Sequence, residues 1–267
     1  GANIARGAIK VGAILIFVFG AARAVEPANW RPFLPNGFSG ALTGAAIVFF
    51  TYIGFDSVST AAEECRHPQR DLPIGIIASL AICTVLYVAV AVTLTGIADW
   101  RKLGNAAPVV NALRELGFDG IRRWVGGGAI VGMLSSLLVF QYGQARVWFA
   151  MSRDGLLPKF FSKVHPVHKT PHISTWVAGL VVGIPAGVWD IGTFADLSNI
   201  GTLFAFVVVS VGVIVLRRSQ PDRPRSFRVP LVPWLPILSI RCCLVLAMSL
   251  PLETWVRVFV WVGIGLV

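Results

Sequence analysis

Charged residues are scarce in this sequence. They make up only 13% of its 267 residues, whereas about 25% is usual in a soluble globular domain. The shortage argues against a water-soluble enzyme. Four cysteines are too few for a secreted disulfide scaffold and show no metal-ligand spacing. Neither a Gly-rich phosphate loop nor a nucleophile motif occurs. We therefore expect no catalytic residue, no metal site and no cofactor.

What the sequence has instead is long apolar runs, since 55% of its residues are hydrophobic. A helix needs roughly 20 apolar residues to cross the hydrocarbon core of a bilayer. Counting windows of that size predicts an all-α, polytopic transmembrane helical bundle with seven full spans and one partial span. The predicted spans are residues 7–25, 38–62, 72–97, 125–151, 173–189, 194–216 and 231–250, followed by 255 to the end.

The net charge of +10 does not indicate a nucleic-acid partner, because the basic residues cluster in short loops between apolar runs. One set of loops carries nearly twice as many Lys and Arg as the other. The positive-inside rule places that richer set in the cytoplasm, so we expect the lipid bilayer and no nucleic acid as partner. The richer set comprises Arg6 and the loops at 63–71, 146–171 and 217–228.

The second apolar run contains a glycine and an acid, Gly54 and Asp56. Both are costly in the middle of a membrane helix. One interpretation is a helix that unwinds near residues 52–55, with Asp56 or Ser57 capping the half-helix that follows and freed carbonyls facing a cavity, where they accept from a ligand ammonium. The other is a kinked helix whose Asp56 pairs with a neighbour. The residues alone support the two about equally.

Lys10 lies inside the first apolar run. Its amine could snorkel to the lipid headgroups on its four-carbon stem. Alternatively, it could face the bundle interior and release and rebind a proton in each cycle.

A separate short segment, residues 105–117, has apolar residues at helical spacing, a proline suited to a first turn and a glycine suited to a stop. It predicts a short amphipathic helix.

Several ordered motifs resemble one family. They are Phe-Phe-Thr-Tyr-Ile-Gly-Phe-Asp at 49–56, Ser-Thr-Ala-Ala-Glu-Glu at 59–64, Pro-Gln-Arg-Asp-Leu-Pro at 68–73, Phe-Ala-Met-Ser-Arg-Asp-Gly-Leu-Leu-Pro at 149–158 and Ser-Phe-Arg-Val-Pro at 226–230. Together they resemble amino-acid permeases of the amino acid-polyamine-organocation superfamily, in the branch that contains the cationic amino-acid transporters. The resemblance covers essentially the whole chain.

The resemblance implies a twelve-helix transporter with the broken-helix, inverted-repeat (LeuT-like) fold. The spans of this chain would then be the fifth to twelfth helices, the C-terminal two thirds of the protein. Residues 7–25 would form the fifth helix, 38–216 a complete five-helix repeat, and 231–267 the last two helices, the final one truncated. The first four helices would belong to the same polypeptide and be missing from this sequence.

The resemblance also implies site residues. Carbonyls of the broken sixth helix meet the substrate's amino group and map to Phe50, Thr51 and Ile53, beside Gly54. Lys10 matches a fifth-helix lysine that stands where sodium-coupled relatives bind sodium. Thr51 departs from the family pattern, in which an alanine is usual.

We therefore expect an amino-acid permease that is not an enzyme, with multiple spans in a bacterial-type inner membrane. It would import amino acids by proton symport with alternating access. Two other hypotheses remain open. One is an exchanger or facilitator without proton coupling, and the other is that this chain, as an isolated fragment, is a non-transporting membrane scaffold.

Overall fold

The structure is a computed structural model that describes residues 2–55, 65, 67–188, 191–225 and 227–265. These residues form α-helices joined by short loops and 3₁₀ turns, with no strand among them, so the predicted all-α class is confirmed. The helices are α1 (Ala2–Ala21), α2 (Gly37–Tyr52), α3 (Pro68–Ile97), α4 (Pro108–Glu115), α5 (Asp119–Arg153), α6 (His172–Ala186), α7 (Ile191–Ser219), α8 (Trp234–Met248) and α9 (Leu252–Gly265).

Four helical segments in the described part of the chain are long and apolar enough to cross a membrane: Ile4–Ala24, α3, α5 and Phe194–Ser219. The number rises to five if α8 and the start of α9, which meet at a bend of 111°, form one span. Seven full spans were predicted. The difference arises because α2 has 16 residues and α6 and α8 have 15 each, fewer than the roughly 20 of a straight crossing.

The predicted amphipathic helix at 105–117 is confirmed as α4. Pro108 occupies its first turn, where the missing amide hydrogen has no helical partner to lose. Gly117 ends it with a φ of +72°, and Phe118 N–H donates to the Leu113 carbonyl at 3.0 Å. Leu113 is fully buried in a cluster with Phe17. The apolar face of α4 therefore packs into the protein core.

The chain forms two compact units, Gly1–Pro35 with Ile77–Ala178, and Asn36–Ile76 with Gly179–Val267. In the first unit, α1 and α5 run antiparallel in close contact, because small residues face each other where the helices meet. A Cβ on Gly128 would lie 2.3 Å from the Cβ of Ala13, and one on Gly20 would lie 2.6 Å from the Cδ1 of Ile121. The two backbones thus approach more closely than larger side chains permit.

We expect Gly128→Ala to lower the free energy of unfolding by about 1–3 kcal/mol, since the added methyl overpacks the α1–α5 contact. Gly127→Ala is the matched control, because a Cβ at that position meets nothing within 4 Å and the change favours helix by up to about 1 kcal/mol. Melting temperatures of the two purified variants in one detergent measure the difference. Equal shifts for both variants would contradict the close contact.

The second unit is built around α2, α7, α8 and α9. Its core is a cluster of buried side chains contributed mainly by α2, α7 and α8. The cluster consists of Ala46, Ile200, Leu203, Cys243, Ala247 and Leu250. Large apolar side chains elsewhere on α7 are exposed, including Phe204 at 57% and Val209 at 63%. Such surfaces suit a lipid environment, in which the outward face of a helix need not be polar.

Candidate functional site

The chain leaves the helical conformation at the end of α2, inside the stretch where the sequence predicts an interruption. The helix ends at Tyr52, Ile53 is extended with φ −64° and ψ 132°, and Gly54 has a φ of +135°. Residues with a Cβ rarely adopt such a positive φ, so glycine is the residue suited to this position. Asp56 and Ser57 lie outside the described residues, and their capping role stays a prediction.

The last turn of α2 has the chemistry of a cation acceptor. Carbonyls in the last turn of a helix have no amide of the same helix to accept from, and the helix dipole places partial negative charge there. Part of the hydrogen-bond accepting capacity of these carbonyls is already used, because the Phe50 carbonyl accepts from the Ile53 N–H at 3.2 Å. The Thr51 hydroxyl donates to the Val48 carbonyl at 2.7 Å. The Thr51 hydroxyl proton is thus engaged within the helix.

The predicted substrate-binding residues form one continuous segment at this point. Phe50 is 41% exposed and Thr51 is also exposed, whereas Ile53 and Gly54 are half-buried. Two concavities of the described surface lie at other positions, one lined by residues between Pro27 and Phe33 and one by His67–Arg70. Neither concavity includes a residue of the interruption.

The Lys10 side chain reaches from α1 to α5. Its Nζ donates to the Ser136 Oγ at 3.2 Å. Side chains of a helix lean toward its N-terminus, and since α1 and α5 are antiparallel this direction leads from Gly132 toward Ser136. The amine thus contacts a neighbouring helix, and its role in proton coupling stays a prediction. Lys10 is exposed within this chain.

Gly132 provides the room for the Lys10 stem. A Cβ at Gly132 would lie 3.3 Å from both Cγ and Cδ of Lys10, a distance at which the lysine stem would have to shift. The methylene groups therefore lie directly over the glycine, and the amine emerges at Ser136, one turn further along α5. Lys10 and the α2 interruption belong to different units.

Asn199 is a buried polar residue that the sequence did not single out. Asn199 of α7 is fully buried, and its Nδ2 donates to the Ala46 carbonyl at 3.0 Å and the Ile47 carbonyl at 3.3 Å. Its Oδ1 has no hydrogen-bond partner within the part of the chain that the structure describes. The signal available in the sequence was a single amide inside an apolar run, which in a membrane helix indicates a contact with another helix.

These features define the class of protein. The helices are apolar on their outer faces, several are long enough to span a bilayer, and one ends at a glycine-containing turn within its apolar run. The protein is a multi-pass integral membrane protein. The family model described as amino acid permease matches residues 2–267. The chain therefore belongs to the amino acid permeases of the amino acid-polyamine-organocation superfamily, as its motifs predicted.

Curated relatives agree with this assignment. The chain is 49% identical over 264 residues to the branched-chain amino acid permease BcaP of Bacillus subtilis, covering 97% of the chain and 56% of the relative. It is 48% identical over 257 residues to the methylthioribose transporter of the same organism, covering 96% and 56%. It is 41% identical over 227 residues to the chloroplastic cationic amino acid transporter 9 of Arabidopsis thaliana, covering 85% and 40%. The chain thus spans about half the length of these relatives.

Proposed function

We propose that the full-length protein carries amino acids across a bacterial inner membrane by proton symport with alternating access. The observation that supports this most directly is the end of α2 at Tyr52, with Ile53 extended and Gly54 at positive φ. It leaves a helix C-terminus and its carbonyls inside an apolar segment. Irregular backbone at membrane depth is tolerated where it lines a cavity or is buried in protein.

The substrate ammonium would bind at this C-terminus. A zwitterion brings three N–H donors, and the carbonyls of Phe50, Thr51 and Ile53 provide acceptors in a region of partial negative charge. Gly54 would allow the turn that directs these carbonyls toward the ligand. Asp56 and Ser57 would cap the half-helix that continues the span. The substrate carboxylate would meet helices of the same polypeptide that precede this sequence.

Lys10 would carry the coupled proton. Its ammonium donates to Ser136, and loss of the proton would leave a neutral amine that can still accept from the Ser136 hydroxyl. A side chain with two hydrogen-bonded states at one position can release a proton on one side of the membrane and rebind it from the other as the bundle rearranges.

The same proposal assigns the helices of the chain. The fifth helix would be residues 7–25, a five-helix repeat would be 38–216, and the last two helices would be 231–267.

Equilibrium binding to the purified full-length protein tests the substrate class. We expect branched-chain, cationic or small neutral amino acids to raise its melting temperature, because a ligand that binds only the folded state stabilises it by mass action. Methylthioribose belongs in the same screen, since a 48% identical relative is a transporter of that name. It lacks an ammonium group. Stabilisation by methylthioribose and by no amino acid would refute the proposed ammonium site.

The alternative to proton symport is transport by an exchanger or facilitator. In an exchanger or facilitator, Lys10 would be a fixed cation held by Ser136, and uptake would not need a proton gradient. Measuring uptake into vesicles with and without an imposed pH gradient separates the two. Counterflow that continues at full rate after the gradient is collapsed would favour the exchanger. The third hypothesis concerns the 267-residue chain in isolation, which would be a non-transporting membrane scaffold. Transport by the full-length protein beside none by this chain alone would support it.

A further inference from the structure

Helix α7 contacts α2 and the segment beyond it, on both sides of the interruption. The ring of Phe206 in α7 lies edge-on to Phe49, with centroids 6.1 Å apart and planes at 83°. The same ring lies 5.6 Å from that of Phe55, with planes at 34°. Phe49 belongs to the last turn of α2, whereas Phe55 follows Gly54. One aromatic side chain thus bridges the residues before and after the turn.

The same helix holds α2 at a second point. Asn199 precedes Phe206 by seven residues, which is two helical turns, so both lie on one face of α7. Its amide donates to the carbonyls of Ala46 and Ile47, one turn before Phe49 and Phe50. A fully buried amide bonded to two consecutive carbonyls sets the rotation of α2 about its axis. The two hydrogen bonds and the ring contacts together fix the position and rotation of the C-terminal end of α2 relative to α7.

The interruption depends on such support because its backbone has left the helix. Gly54 has the widest conformational freedom of any residue, and Ile53 is extended, with its N–H donating to the Phe50 carbonyl. A site has a lower affinity for its ligand when one of its segments becomes ordered only on binding, because the conformational entropy lost by that segment opposes binding. Side chains that hold the segment in its binding arrangement beforehand remove that cost.

We propose that Phe206 is a positioning residue for the amino-acid site, acting through Phe49 and Phe55. This inference rests on the proposed function. Phe206 holds the residues that flank Ile53 and Gly54 in one arrangement, so that the carbonyls of the interruption converge on the substrate ammonium. Asn199 keeps the preceding turns of α2 in register with α7. Phe206 itself makes no bond to the substrate.

The test compares Phe206→Leu with Phe204→Leu in the full-length protein. Phe204 lies in the same helix, undergoes the same chemical change and is 57% exposed. We expect Phe206→Leu to raise the KM for uptake of the preferred amino acid about three- to tenfold, the effect of losing one or two aromatic pairs. Phe204→Leu should leave KM unchanged. A purely structural role would lower the amount of active transporter, and hence Vmax, without changing KM.

A double substitution tests whether Phe206 acts through Phe55. Phe55→Leu removes the partner ring, leaves α7 intact and should raise KM by a similar factor. If Phe206→Leu folds poorly, Phe55→Leu still tests whether the contact between the two rings matters for KM. The combined Phe55→Leu and Phe206→Leu variant should be little worse than either single variant, because residues that share one interaction are not additive. Effects that multiply would overturn the inference.

The outcomes separate this inference from the proposed function. If the wild-type protein transports an amino acid and Phe206→Leu behaves as Phe204→Leu does, the positioning role is wrong and the proposed function stands. If the wild-type protein binds and transports no amino acid, the proposed function is wrong and the positioning role falls with it.

Discussion

Lys10→Met in the full-length protein is expected to reduce strongly the accumulation of substrate against its gradient while leaving substrate binding measurable. Methionine retains an unbranched stem that can lie over Gly132 but has no proton to release to Ser136 or take back. Coupling between two binding sites typically changes affinity by about 5- to 150-fold, and we expect proton-driven accumulation to fall by a factor in that range. Uptake into vesicles with an imposed pH gradient measures it.

Lys102→Met is the matched control for this experiment. Lys102 is exposed and forms a 3.5 Å ion pair with Glu115, and surface pairs of this kind contribute little to stability. Its substitution removes the same charge and should leave accumulation unchanged. Ser136→Ala removes the acceptor alone and should weaken coupling less than Lys10→Met does. Proton-driven accumulation that survives Lys10→Met at the wild-type level would exclude the proposed role of this amine.

Gly54→Ala is expected to weaken amino-acid binding severely. The backbone φ of +135° at Gly54 places an added methyl in a region that residues with a Cβ adopt only under strain, at a cost of about 1–3 kcal/mol. If the chain relieves that strain by changing the turn, the Ile53 and Phe50 carbonyls would no longer meet in the proposed ammonium site. Binding free energy lost in that amount corresponds to about a 5- to 140-fold rise in Kd, which calorimetry on the purified protein measures.

Gly44→Ala provides the comparison for Gly54. Gly44 lies in α2, and a Cβ there would meet nothing within 4 Å. Alanine at that position should be neutral or slightly stabilising, because glycine is the poorer helix former. A Kd that responds to Gly44→Ala as strongly as to Gly54→Ala would mean that any glycine of this helix matters, and the specific role of the turn would be refuted.

Several features could be predicted from the sequence because they depend on local patterns. The all-α class follows from the length of the apolar runs. The short helix α4 follows from Pro108, Gly117 and the periodic apolar residues between them. An unwound helix near 52–55 was one of the two interpretations that the residues allowed, because Gly54 and Asp56 are costly in a continuous membrane helix. Each inference needed only residues close together in the chain.

Other features depend on which helices meet, and this the sequence of a single chain does not determine. The contact of Asn199 with Ala46 joins residues 153 positions apart. The contact of Lys10 with Ser136 passes over Gly132, whose importance appears only when α1 and α5 lie side by side. Phe206 is one of many apolar residues in α7, and nothing in the local pattern distinguishes it from the exposed Phe204. The spans at α6 and α8 were predicted to be longer than the helices that the structure describes, because apolar residues next to each helix extend the runs.

The contact of Gly128 with Ala13 also constrains how the protein can move. Because two backbones touch there with almost no side chain between them, α1 and α5 cannot slide along each other by the height of a turn without a collision, and they should shift together as a rigid pair. The distance from Lys10 to Ser136 would then stay nearly constant through a transport cycle. Access of water to this amine would have to be switched by some third element that approaches the pair and withdraws from it.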